Sequence, residues 1–221
     1  MSKQPIASFI LVFSIVFSTA IFMQAPVFAQ TQKGIDLFNS WEFQEAEKVL
    51  SEALKANPGD VQASYYLGLA VLAQDKHKEA LDIFLKVKDS QDKAERQARP
   101  RVPDEYQIQM ALARARLELK QNDEAWKNLE AAKKEHADSS EVYVYRGLYY
   151  LNQGNPQKAI KELEKAMSMN ENDAYAHYYA GHAYLRLGNP AGAVEMFKTF
   201  LQLAPYAPEA GKAKALVDAL C

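Results

Sequence analysis

Three series of residues share one register along this chain of 221 residues. Small residues stand at Gly34, Gly68, Ala113, Gly147 and Gly181, with gaps of 34, 45, 34 and 34. Ala46, Ala80, Ala125, Ala159 and Ala193 repeat those gaps, and so do Leu50, Phe84, Leu129, Leu163 and Phe197. The gap of 45 is 34 plus the 11-residue stretch ERQARPRVPDE at Glu95 to Glu105. The last two copies align without a gap: YRGLYYLNQGNPQKAIKELEKAMSMN from Tyr145 matches YAGHAYLRLGNPAGAVEMFKTFLQLA from Tyr179 at Gly147/Gly181, Tyr150/Tyr184, Gly154/Gly188, Asn155-Pro156/Asn189-Pro190 and Ala159/Ala193. A fixed period of this length restricts the chain to a stack of copies of one supersecondary unit.

Within each copy apolar residues recur three and four apart, which predicts two amphipathic helices of about 12–15 residues. Gly or Ala is required where the paired helices cross, because a larger side chain would push the backbones apart. One hairpin cannot bury its apolar stripe alone, so the copies must stack and the ends need caps. Ala213, Leu216, Val217 and Leu220 form one stripe after Pro208, which predicts a cap helix over 208–220. In the insertion, Pro100 and Pro103 forbid a continuous helix, whereas no breaker occurs from Lys78 to Ala98. An overlong second helix in copy two is expected, followed by a kinked spacer over 95–105.

This pattern resembles the tetratricopeptide repeat, a helix–turn–helix unit of 34 residues. Leu67-Gly68, Ala80, Phe84 and the preceding Pro58 carry the resemblance in one copy. Gly147, Tyr150, Ala159 and Leu163 carry it in another, and Gly181, Tyr184, Ala193, Phe197 and Pro205 in the last. No copy keeps the family's early Trp; the third has Ala113 for Gly and Arg116 for the aromatic, and Asp92, Ala137 and Glu171 replace the inter-repeat Pro. The expected fold is all-α: a right-handed superhelical solenoid of about five repeats, at 30–60, 61–94, 106–139, 140–173 and 174–207, plus the cap helix.

The segment before the first repeat has a different character. Lys3 is its only charge, an apolar run extends from Ile6 to Met23, and Pro26 precedes Val27-Phe28-Ala29. This is the order of parts in a secretory signal peptide, with cleavage expected after Ala29 and the repeat domain over 30–221. The alternative is an uncleaved inner-membrane anchor facing the periplasm, since the run is near the lower limit for a span. Either reading places the folded part outside the cytoplasm, periplasmic or secreted, and cleavage leaves no membrane span. The single cysteine, Cys221, allows no internal disulfide and leaves open a Cys221-linked dimer.

A net charge of −2 provides no polybasic field for nucleic acid. His177 and His182 are five apart and fall on different faces of a helix, so they make a poor metal pair. There is no His-Glu-x-x-His, no phosphate-cradling Gly-rich loop and no Gly-x-Ser-x-Gly. The chain is therefore read as non-catalytic, with no metal and no cofactor.

Eleven of the twelve tyrosines lie in first-helix segments. Tyr143, Tyr150 and Tyr184 read as packing. The resemblance implies a concave groove formed by the first helices that holds a protein or peptide partner. It maps Tyr65, Tyr66, Tyr145, Tyr178 and Tyr179 onto that groove, with Leu69, Arg114, Leu148, His182 and Arg186. Tyr145, Tyr178 and Tyr179 are expected as its aromatic centre, with rings outside the core and available to an apolar or aromatic ligand segment. The expected role is a protein-interaction scaffold of the bacterial cell envelope. The alternative is a glycan-binding accessory module, with sugar rings stacked on the tyrosines.

Overall fold

The computed structural model describes residues 28–94 and 103–220. Most of the expected signal segment, the centre of the insertion and Cys221 lie outside the described residues. Eleven α-helices follow in order: α1 (28–39), α2 (Phe43–Ala56), α3 (Val61–Leu72), α4 (His77–Ala94), α5 (Glu105–Glu118), α6 (Asn122–Glu135), α7 (Ser140–Asn152), α8 (Pro156–Met169), α9 (Ala174–Arg186), α10 (Pro190–Leu203) and α11 (Ala210–Leu220). Among the described residues there is no strand. The helices pair as five hairpins stacked into a solenoid, and α11 caps the last.

The three periodic series form one packing device. Each small residue of a first helix sits against the large residue 16 positions later in its partner. A Cβ added at Gly181 would lie 2.7 Å from Phe197 Cε1, and one at Gly147 would lie 2.5 Å from Leu163 Cγ. Leu50, Phe84, Leu129, Leu163, Phe197 and the five alanines of the second helices are fully buried. Each of the five large side chains contributes about 2–3 kcal/mol by leaving water.

The turns between paired helices are equally periodic. Trp41, Asp75, Lys120, Gly154 and Gly188 occupy equivalent places, and all five adopt left-handed backbone with φ between 59 and 71°. A Schellman pattern closes the end of the first helix. Asn155 N–H donates to the Tyr150 carbonyl at 2.9 Å, and Asn189 N–H to the Tyr184 carbonyl at 2.9 Å. In the last two hairpins glycine takes the left-handed place without penalty. Asn155 and Asn189 then cap α8 and α10, and Pro156 and Pro190 open them. The Gly-Asn-Pro tripeptides are thus turn chemistry.

Helix α4 has 18 residues, against 14 in α2, α6, α8 and α10, as its unbroken sequence predicts. The expected insertion is shorter at its far end. Asp104 is the N-cap of α5, in a capping box with Gln107, and Glu105 is in the first turn. The cap helix begins two residues later than expected; Ala213 is buried in it, and Leu216 and Val217 pack on the core. Among the described residues no helix is long and apolar enough to cross a membrane.

Candidate functional site: the concave cavity

The first helices line the concave side, and the superhelix brings its two ends together across it. Lys212 Nζ on α11 lies 3.7 Å from Asp75 Oδ2 in the turn after α3. Neighbouring elements are tied along it as well: Tyr175 on α9 donates to Glu209 Oε2, one repeat step on and just before α11, at 2.9 Å. The concave groove is therefore narrowed into small cavities that adjoin at Arg114. One, of about 190 Å³, is lined from four repeats and the cap by Leu72, Asp75, Arg114, Leu148, Tyr178, Tyr179, His182, Arg186, Glu209 and Lys212, among others. A second, of about 220 Å³, lies between the first turn and Pro208; a third, of about 210 Å³, lies against Tyr65 and Tyr145. Arg114 lines all three.

Nine of the ten residues expected in the groove line one of these cavities; the tenth, Tyr66, packs edge-on against Phe38, with ring centroids 5.7 Å apart. The expectation that the rings stand outside the core is corrected. Tyr65, Tyr145, Tyr178 and Tyr179 are at most 9% exposed, and the last three belong to the main core cluster. Their neighbours explain this: Tyr178 packs on Phe200 at 4.9 Å and Tyr179 on Tyr178 at 5.3 Å. Burial pushes the Tyr178 phenol up to about 12 and holds that of Tyr179 well above the usual range, with the Tyr145 phenol adding to the effect on Tyr179. These tyrosines are therefore core side chains that also line the cavities.

Arg186 also has a structural duty that its sequence position does not reveal. Its guanidinium donates to the Leu151 carbonyl of the preceding repeat. One repeat earlier, Asn152 Nδ2 donates to the Leu117 carbonyl at 2.8 Å. The two side chains occupy equivalent positions and tie successive first helices end to end. Arg114 is different. Among the described residues it has no ion pair within 4.0 Å, and its guanidinium lies 5.7 Å over the Tyr175 ring.

His182 is held edge-on between Tyr178, at 4.7 Å, and Phe197, at 5.1 Å. Burial, and then the Arg186 guanidinium, hold its imidazole down to about 4 from the usual 6.5. Between those two values the unfolded chain binds the proton and the folded chain does not. Stability is thus complete above pH ~6.5 and falls as the pH drops towards 4. Allowing for partial exposure, the loss should be about 1–2 kcal/mol. Urea midpoints at pH 7 and pH 4.5 should show a smaller drop for His182→Gln than for wild type; equal drops would remove His182 as the cause.

Sequence reasoning missed the residues around the second cavity: Phe38, Trp41, Phe43, Tyr175 and Pro208. One signal was available. The 34-residue register puts Trp41 at the turn position that is glycine at 154 and 188. No group of three or more His, Cys, Asp or Glu among the described residues could hold a metal ion.

A family profile for the tetratricopeptide repeat matches residues 31–95 and 145–208. Among solved structures, the chain is similar to a thermophilic TPR protein of Thermus thermophilus, at 20% identity and a TM-score of 0.67, covering 88% of this chain and 98% of that one. It is also similar to MamA of Desulfovibrio magneticus, at 20% identity and a TM-score of 0.55, covering 81% of this chain and 95% of that one. No curated protein matches the sequence.

Proposed function

The chain belongs to the tetratricopeptide repeat family, and from that premise we propose that it is a non-catalytic scaffold of the bacterial cell envelope that holds an extended segment of a partner protein in its concave groove. The observation that carries this reading is Arg114. It sits where the three concave cavities meet, facing tyrosine phenols, with the Glu141 and Glu209 carboxylates lining two of those cavities beside it. Burial acts against its charge, and the neighbouring phenols and the Glu209 carboxylate more than offset it, so Arg114 stands as a stably charged donor at the centre of the groove, able to hold backbone carbonyls or a carboxylate of a bound segment. The cavities are too small for a helix about 10–12 Å across, which favours an extended chain lying along the first helices. The envelope location is supported by the apolar run from Ile6 to Met23 and the small-residue cleavage chemistry that ends at Ala29.

The test is cross-linking capture from envelope extracts with tagged wild-type protein and Leu69→Glu. Leu69 is half-buried and lines two of the cavities. A carboxylate there should abolish a specific cross-link while leaving the circular-dichroism melt within a few degrees of wild type. Capture that survives Leu69→Glu at full strength would show that the partner docks elsewhere. The intact mass of the same purified protein should correspond to residues 30–221; a full-length mass would establish the anchored form.

A further inference from the structure

The turn after α1 contains a residue that folding alone does not favour. Left-handed backbone suits glycine and disfavours a residue with a Cβ, and a bulky aromatic there is an outlier. Trp41 holds φ at 65° and is still 41% exposed. Its ring makes an edge contact with Phe43 at 5.8 Å. Phe43 in turn packs on Phe38 at 5.6 Å. Strain of this kind persists where a side chain is wanted at one particular spot. Here the spot is the rim of the cavity of about 220 Å³, whose far wall is Pro208 and Tyr175 from the other end of the superhelix. Leu69 and the aromatic trio make the walls apolar, and Arg114 supplies the one cation of the lining.

We propose that this cavity is a subsite for one aromatic side chain of the partner segment, with a carboxylate of that segment next to it paired to Arg114. The proposal deepens the groove reading and rests on it. The volume fixes the size of the occupant: it is below the ~300–1,000 Å³ of pockets for whole small ligands, so it receives a single side chain. The apolar lining fixes its chemistry, and Trp41 with Phe43 offers the ring edge-to-face partners. The charge fixes the neighbouring group, because a guanidinium takes a carboxylate through two parallel hydrogen bonds. Trp41 is then kept at the turn for the ligand, against the preference of its own backbone.

N-acetyl-L-phenylalanine carries both groups in one small molecule, and it is the probe. Titrated into the isotope-labelled wild-type chain, it should shift the Trp41 indole N–H and the amides of Asn39, Leu69 and Ala73, saturating with a millimolar Kd. N-acetyl-L-phenylalaninamide, which lacks the charge, should bind at least ~10-fold more weakly, and Arg114→Gln should erase that preference. Trp41→Gly should melt at or above the wild-type temperature, because the strain is relieved, and should lose the shifts at Leu69 and Ala73. Equal binding of acid and amide would overturn the proposal, as would unchanged binding by Trp41→Gly or no saturable shift by ~10 mM probe. A lower melting temperature for Trp41→Gly would also overturn it, since Trp41 would then serve the fold. Failure of the probe with partner capture still sensitive to Leu69→Glu removes this subsite alone. Capture indifferent to Leu69→Glu removes the groove reading itself.

Discussion

Gly181→Leu is expected to cost about 3 kcal/mol or more of stability, the upper part of the range for overpacking a filled core. The added Cβ alone would meet Phe197 Cε1 at 2.7 Å and Cζ at 2.8 Å. Phe197 is fully buried and its ring also touches Tyr178 and His182, so it has no free direction in which to yield. Either the ring leaves its rotamer or α9 and α10 move apart and expose the last hairpin. Urea melts should show a lowered midpoint, with Gly181→Ala in between. The third repeat offers a natural comparison, since Ala113 there faces Leu129 in place of a ring. Phe197→Leu should accordingly recover part of the Gly181→Ala loss, a non-additivity that a double-mutant cycle measures. An unchanged midpoint for Gly181→Leu would refute the crossing contact.

Tyr145→Ala with Tyr179→Ala should be more damaging still. Both rings are about 5–7% exposed and lie within one core cluster spanning α5 to α11. Truncating a buried aromatic costs about 3–5 kcal/mol through lost burial and the cavity left behind. Two such losses in one cluster approach the whole stability of an ordinary domain, about 5–15 kcal/mol. The double variant is therefore expected to lose its cooperative thermal transition near room temperature. Tyr145→Phe with Tyr179→Phe keeps the volume and should melt close to wild type. If the alanine pair kept the wild-type melt, the rings would not belong to the core, and the exposed aromatic row expected from sequence would be restored. The groove is better probed at Leu69 and Arg114, which are only partly buried, and at Trp41, which is exposed.

The repeat unit was legible in the sequence because its causes are local. Gly181 and Phe197 are 16 residues apart, and so are Gly147 and Leu163; one hairpin contains each pair. The Gly-Asn-Pro turns combine a left-handed residue, an N-cap and a first-turn proline within three positions. Such constraints recur in every copy and leave a periodic trace. The positions of nine groove-lining residues were readable for the same reason, since a residue's place in its unit sets which side of the solenoid it faces.

The depth of those residues was not readable. Whether Tyr178 is an open ring or a buried one depends on Phe200 and on how closely α10 follows α9. Arg186 could be recognised as a tie to Leu151 only once the preceding repeat was in place. The meeting of Lys212 with Asp75, and of Pro208 with Trp41 across one cavity, belongs to no single repeat. It arises from the small rotation between neighbours, summed over the whole stack. The period determined the unit and its inner face; the accumulated rotation, set by side-chain packing between units, decided that the face closes on itself.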